Sequence, residues 1–342
     1  MRRFRIEARG PYSFRSTLAF LRSFPPCGHG WIEDGGDLCI GFPLEGVGPA
    51  VGARVRAVAG GLEGEAYGDA PTGAVARQLA RVFSLDHDGT AYPEVGRRDP
   101  AVGRLMQSMP GFRPLCFFSP YEAAAYAQIG HHISMAQASR IKARLVAEHG
   151  DEVSLAGARV RAFPSPERLL DVTHLPGLPA GKLARMHGIA RAALAGELDA
   201  ERLRGLGEER AKAALRTLEG VGPWTAAAIW LRGTGVRDSL AAEEPRCLAA
   251  AARLDGKSAP LTPAELATRA EPWRPYRTWV IVLLRFALGP NPGEVARPPR
   301  ATRLAPYDDV TKDHQGFEDH RPQDGRVVEK RQPVRAAGAD PR

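Results

Sequence analysis

Leu218-Glu219-Gly220-Val221-Gly222-Pro223-Trp224-Thr225 is the segment that most restricts what this chain can fold into. It joins a stretch with helical spacing that ends Leu215-Arg216-Thr217-Leu218 to a second one opening at Pro223. Two glycines let such a turn approach another backbone with no Cβ in the way. A proline in the first helical position needs no hydrogen-bond partner for its nitrogen, and the neighbouring N–H groups stay free to face a phosphate. A bare Gly-x-Gly serves equally well as a tight helix–helix turn without a ligand, so the surroundings have to decide between the two.

The surroundings are helical from about residue 99. Apolar spacing places helices at Pro120–His149, Ser165–Asp171, Leu183–Ala195, Ala200–Leu206, Glu208–Thr217, Pro223–Leu231, Pro245–Leu254, Pro263–Ala270 and Arg274–Leu288. Ser119-Pro120 and Thr262-Pro263 each pair an N-cap with a proline at the first helical position. Residues 1–90 read differently. Alternating segments at 31–33, 37–42 and 53–58, punctuated by Gly-Gly and Pro-Pro turns, accompany helical spacing at Phe14–Phe24 and Gly73–Phe83. The expected fold is therefore an α+β N-terminal domain, a small curved antiparallel sheet with helices, followed by an all-α body over 99–290. Residues 296–342 are rich in Pro, Arg and Asp and lack apolar patterning, which predicts a flexible tail.

Charge narrows the function classes. Lys and Arg number 47 against 39 Asp and Glu, a net charge of +8 that favours a polyanionic partner. The longest apolar run, around Trp279–Leu284, is cut by Arg277 and Arg285, too short for a bilayer span. Met1-Arg2-Arg3-Phe4-Arg5-Ile6-Glu7 lacks the apolar stretch of a secretory signal, so a cytoplasmic location and no membrane partner are expected. Cys27, Cys39, Cys116 and Cys247 are widely spaced with no C-x-x-C pair, which reads as reduced, buried thiols rather than a zinc or iron–sulfur site.

Taken together, these segments resemble the helix–hairpin–helix DNA glycosylase superfamily, in particular its 3-methyladenine DNA glycosylase II group. That group's hairpin reads roughly Leu-Pro-Gly-Ile-Gly-x-Trp-Thr-Ala, here Leu218 to Ala226 with Glu219 in the proline's place. Leu231-Arg232-Gly233, the acidic segment Asp238–Glu244 and Glu271-Pro272-Trp273-Arg274-Pro275-Tyr276-Arg277 follow at matching spacing. Upstream, Ala127-Gln128-Ile129-Gly130-His131-His132-Ile133-Ser134 is similar to the family's DNA-inserting turn, and the N-terminal α+β unit fits the group's extra domain. The resemblance covers about residues 3–290.

The resemblance implies a monofunctional DNA glycosylase of base-excision repair that flips a damaged purine, with alkylated purines foremost, out of duplex DNA and hydrolyses its N-glycosidic bond. The family's catalytic aspartate falls on Glu244, just before a helix, with Glu243 and Asp238 as fallbacks. His132, with His131 beside it, takes the place of the wedge that fills the vacated stack. Gly220, Gly222 and the Thr225 hydroxyl hold a backbone phosphate. Trp224 takes the place of a pocket tryptophan and also of the Schiff-base lysine of lyase relatives, so no imine route is implied. Arg285 stands where a pocket tryptophan is usual, and there it can stack on a base or pair with Glu244. A fixed cation in the pocket disfavours cationic bases. No cofactor is implied beyond a monovalent cation at the hairpin carbonyls, and a monomer is expected. The departures at His132, Glu244 and Arg285 support an alternative, a catalytically weak relative that binds damaged DNA.

Overall fold

A computed structural model of the chain describes residues 2–24, 26, 30–46 and 50–288. The described residues belong to one compact unit, while the tail expected at 296–342 lies outside the described residues, as does Cys27.

The N-terminal part is β1 (Arg2–Glu7), α1 (Phe14–Ser23), β2 (Trp31–Asp34), β3 (Asp37–Pro43), β4 (Ala50–Val58), β5 (Gly61–Tyr67) and α2 (Thr72–Val82). The strands form one antiparallel sheet in the order β1-β5-β4-β3-β2, with Ile40 paired to Ala53 and Ala53 to Ala66. Strands β1 and β5 have no counterpart among the alternating segments. β1 carries three arginines and β5 two glycines and two glutamates, so neither alternates cleanly.

Twelve further helices follow among the described residues: α3 (Pro93–Arg98), α4 (Pro100–Ser108), α5 (Pro120–Gly130), α6 (Met135–His149), α7 (Pro166–Leu170), α8 (Ala180–Leu194), α9 (Ala200–Leu206), α10 (Glu208–Leu215), α11 (Pro223–Gly233), α12 (Pro245–Leu254), α13 (Pro263–Arg269) and α14 (Arg277–Ala287). The caps work as their residue types dictate. Ser119 accepts the Glu122 N–H, and Thr262 and Glu265 close a reciprocal capping box. The stretch expected as one helix from Pro120 to His149 is two, because His132 takes a left-handed backbone (φ 56°) and Ser134 caps a fresh start.

The body is not wholly helical. β6 (Glu152–Leu155) and β7 (Ala158–Arg161) form a hairpin whose Val153, Leu155 and Val160 pack with Cys39 of β3. This explains why β3 is buried almost throughout instead of on alternate residues. The hairpin supplies cover for a second sheet face.

Two larger cores divide the molecule. One joins the sheet, α1 and α2 to α12, the 3₁₀ turn at Glu271–Trp273 and α14. The other gathers α5, α6, α8 and α11. The last helices among the described residues thus share apolar contacts with the first strands. Trp230, Trp273, Tyr276 and Trp279 are all buried, as are the thiols of Cys39, Cys116 and Cys247.

Candidate active site

The hairpin is positioned by close backbone approach. Gly233, in the last turn of α11, lies where a Cβ would come within 2.8 Å of Pro120 Cα, so α11 packs tightly on α5. Gly220 adopts φ +77°, and Gln128 of α5 donates from Nε2 to the Gly220 carbonyl at 2.9 Å. Gln128 is fully buried and ties the turn to α5. Its place within the Gln-Ile-Gly-His-His segment is evident in the sequence, but nothing there assigns it this role.

Gly222 is the N-cap of α11 and offers no side chain to the first-turn N–H groups. A helix N-terminus left in this state presents free donors and the positive end of its dipole. Beside it opens a cavity of about 710 Å³, lined by Gly220, Val221 and Gly222 on one side and by His131 and His132 on the other. Lys182 and Arg185 of α8 and Arg216 add positive charge. Sequence reasoning missed these three cations, although Lys182 and Arg185 at i, i+3 share one helix face. Lys182 donates to the carbonyls of Ile129 (3.1 Å) and His131 (2.5 Å), fastening the turn between α5 and α6. Burial, then His132, Lys182 and Arg185, holds the His131 imidazole below its ordinary pKa. His132 is exposed at the tip of that turn. Glu219 accepts from Arg185 Nε at 3.2 Å, a carboxylate standing among the cations. Thr225 is 2% exposed, so its side chain lies beneath the first turn of α11.

Outside the lining of that cavity stands the start of α12. Glu244 is its N-cap, with Oε2 accepting the Cys247 N–H at 2.8 Å. The Glu244 carboxylate is buried at 7% exposure and lies 3.7 Å from Arg285 Nη1 of α14. The loop bearing Glu244 is clamped to α14. The Ser239 N–H donates to Thr278 Oγ1 (2.9 Å), which donates in turn to the Ser239 carbonyl (2.8 Å), while Asp238 holds Arg277 by ion pair and backbone hydrogen bond. Asp238 is thereby occupied in fastening the loop, and Glu243 is exposed. Arg246 Nη1 reaches Met135 Sδ at 2.7 Å, which brings the first turn of α12 against the first turn of α6, next to the histidine turn.

Trp224 is 48% exposed. An aromatic at the second position of α11 would ordinarily be expected to pack inward, and this one does not. Among the described residues no group of three or more His, Cys, Asp or Glu side chains could hold a metal ion. The hairpin carbonyls of Leu218 and Gly220 each accept one hydrogen bond, from Val221 N–H and from Gln128, and each keeps a second lone pair. Neutral oxygen donors of this kind suit a monovalent cation.

The chain is similar to named proteins. It is 28% identical over 162 residues to a DNA-3-methyladenine glycosylase of Bacillus subtilis, covering 46% of this chain and 54% of that one. It is 28% identical over 221 residues to DNA-3-methyladenine glycosylase 2 of Escherichia coli, covering 64% and 73%. The chain thus spans little more than half the length of the Bacillus relative. No protein-family model matches it. Among solved structures, a 3-methyladenine DNA glycosylase from Archaeoglobus fulgidus superposes with a TM-score of 0.70 at 23% identity, over 83% of this chain and 97% of that one, a likeness of fold. Hairpin, helical body, N-terminal sheet and relatives point the same way: the chain is similar in sequence to DNA-3-methyladenine glycosylases and shares the fold of the Archaeoglobus structure.

Proposed function

We propose that the protein is a monofunctional DNA N-glycosylase of base-excision repair, releasing damaged purines, alkylated ones among them, from double-stranded DNA. The observation that carries this reading is the buried Glu244 carboxylate at the N-terminus of α12, whose first turn meets the start of α6 next to the histidine turn, in a chain that also carries a glycine hairpin with uncapped N–H groups. In a glycosylase the carboxylate faces C1′ and stabilises the positive charge that develops as the base departs.

The parts divide the work. The N–H groups of Trp224 and Thr225 at the start of α11, with the Gly220–Gly222 backbone, hold a phosphate beside the lesion. Thr225 is buried, so it contributes its backbone N–H to the phosphate and not the hydroxyl that the resemblance implied. Lys182, Arg185 and Arg216 extend the positive surface along the strand. His132 enters the stack vacated by the flipped nucleotide, with His131 behind it. The half-exposed Trp224 offers a ring face to the extruded base. A monovalent cation at the hairpin carbonyls would add positive charge next to the same phosphate. Trp224 in the hairpin supplies no amine there, so water is the nucleophile and an abasic site is the product. The protein works as a monomer in the nucleoid-containing cytoplasm. No helix among the described residues is long and apolar enough to cross a membrane.

The test is base release from duplexes containing methylated purines or hypoxanthine, wild type beside Glu244→Gln. Release should fall by about 10²- to 10³-fold in the variant, as when a transition-state electrostatic partner is removed, with duplex affinity little changed. Release that survives the substitution moves the chemistry to Glu243 or Asp238. Tight binding with no release by the wild type identifies a non-catalytic damage binder.

A further inference from the structure

A cation within ion-pair distance of the carboxylate that faces C1′ is an awkward neighbour for a positively charged base. Arg285 is such a cation, 3.7 Å from Glu244 Oε2. It is the more accessible member of the pair, 35% exposed at the side chain against 9% for Glu244. Its backbone is anchored: Val280 to Leu284, the residues just before it, are buried, and Phe286, just after it, stacks on Phe112 with ring centroids 5.6 Å apart. Among the described residues Glu244 is the carboxylate that pairs with Arg285, and the nearby Cys247 thiol, pushed up to about 12 chiefly by burial, brings no second negative charge. The pair therefore sums to zero, and Arg246 near the same helix end adds a further positive charge.

The two kinds of damaged purine make opposite demands on this site. A purine methylated at N3 or N7 is cationic before the bond breaks and departs neutral. A deaminated purine, or one bridged across its amino group, is neutral before the bond breaks and departs as an anion. Repulsion between a guanidinium and a cationic base about 5 Å apart, at an effective dielectric constant of about 20, is equivalent to roughly 10²-fold in binding, enough to cancel the attraction that Glu244 alone would give such a base. A guanidinium beside a departing anion works the other way, as a charge-assisted donor that strengthens as the bond breaks.

We propose that Arg285 is a catalytic residue that directs the enzyme to neutral damaged bases by donating an N–H to the base as it leaves. The proposal rests on the glycosylase reading above and on Glu244 as its carboxylate. The C1′–N bond breaks with its electron pair passing to the base, which Arg285 stabilises, while Glu244 faces the positive charge at C1′. Water then adds its oxygen to C1′ and its proton ends on the base, so the products are a neutral free base and an abasic sugar.

The experiment uses the full chain in wild-type, Arg285→Leu and Arg285→Lys forms, and single-turnover release from duplexes containing hypoxanthine or 1,N6-ethenoadenine (neutral) and 7-methylguanine or 3-methyladenine (cationic). The wild type should release the neutral pair faster. Arg285→Leu should lose about 10- to 100-fold on the neutral bases, the worth of one charge-assisted hydrogen bond, and hold or gain on the cationic ones. Arg285→Lys, which keeps the charge, should retain the wild-type order, an outcome that loss of packing alone does not produce. A neutral-to-cationic ratio that is the same in wild type and Arg285→Leu overturns the proposal and leaves the glycosylase reading standing. Release of no base by the wild type overturns both.

Discussion

The two halves, or lips, of the proposed site are built from different materials. The hairpin lip is backbone: glycines, a proline-started helix and uncapped N–H groups, with Gln128 and Lys182 tying two turns in place through main-chain carbonyls. The carboxylate lip is side chain: Glu244 and Arg285 meet because Ser239, Asp238, Arg277 and Thr278 clamp a loop to a helix that follows it well downstream. A backbone lip suits a ligand part common to all DNA, the phosphate. A side-chain lip suits the part that varies, the base. The difference places general affinity on one side and selectivity on the other.

That contrast can be broken from either side. The largest effect is expected at the buried pair that holds α5 to α6 around the histidine turn. Lys142 and Glu122, both nearly inaccessible, lie 2.5 Å apart, and Lys142→Met leaves a buried carboxylate unpaired. Chemical denaturation should show a loss of about 3–5 kcal/mol. If stability is unchanged, the turn is held by something other than this pair.

The two hairpin glycines should separate folding from binding. At Gly220 a Cβ would lie 2.6 Å from Gln128 Oε1 on a backbone with φ +77°, so Gly220→Ala is expected to cost about 1–3 kcal/mol of stability. At Gly222 a Cβ meets nothing within 4 Å. Gly222→Val should therefore melt like the wild type yet bind duplex on the order of tenfold more weakly, measured by fluorescence anisotropy, because the crowding arises only when a phosphate docks. Equal losses of stability at both positions would dissolve the distinction.

On the opposite lip, Thr278→Val strands the buried Ser239 N–H and should cost about 1–3 kcal/mol. Here the sign of the comparison matters: base release should fall while duplex affinity stays, the reverse of Gly222→Val. The smallest effects belong to the exposed charges. Glu219→Gln frees Arg185 for phosphate and should raise duplex affinity about two- to fivefold at low salt, a gain that fades as salt rises. His131, held below its ordinary pKa, is neutral at neutral pH and takes up a proton only in acid. Folding opposes that proton, so stability falls as pH drops through the unfolded-state value, whereas DNA, which favours the charged form, binds more tightly in acid. Titrations of duplex affinity with His131→Gln should lose the part of the acid-side gain that comes from this residue.

Much of the hairpin lip is legible in the amino-acid sequence, since its signals are local. Gly-x-Gly-Pro between two helical stretches, Ser-Pro and Thr-Pro starts and the Gln-Ile-Gly-His-His segment each act over a few residues, and the helices at Ala200–Leu206 and Pro245–Leu254 have the limits that spacing predicts. The β6–β7 hairpin is not legible in the same way. Val153, Leu155 and Val160 are too few and too short a run to announce strands, and they become a core only against Cys39 of a distant sheet.

Sequence by itself determined most of the helices after residue 120, the caps, the turn at Gly220–Gly222 and the kinds of side chain available to the site, because backbone preference and capping are settled by near neighbours. Tertiary structure alone decided that Gln128 holds the hairpin, that Asp238 is spent on Arg277, that Trp224 stays exposed and that Arg285 meets Glu244. Those outcomes depend on how helices far apart in the chain settle against shared cores, where burial of apolar faces sets the geometry and the polar groups are carried into place with it.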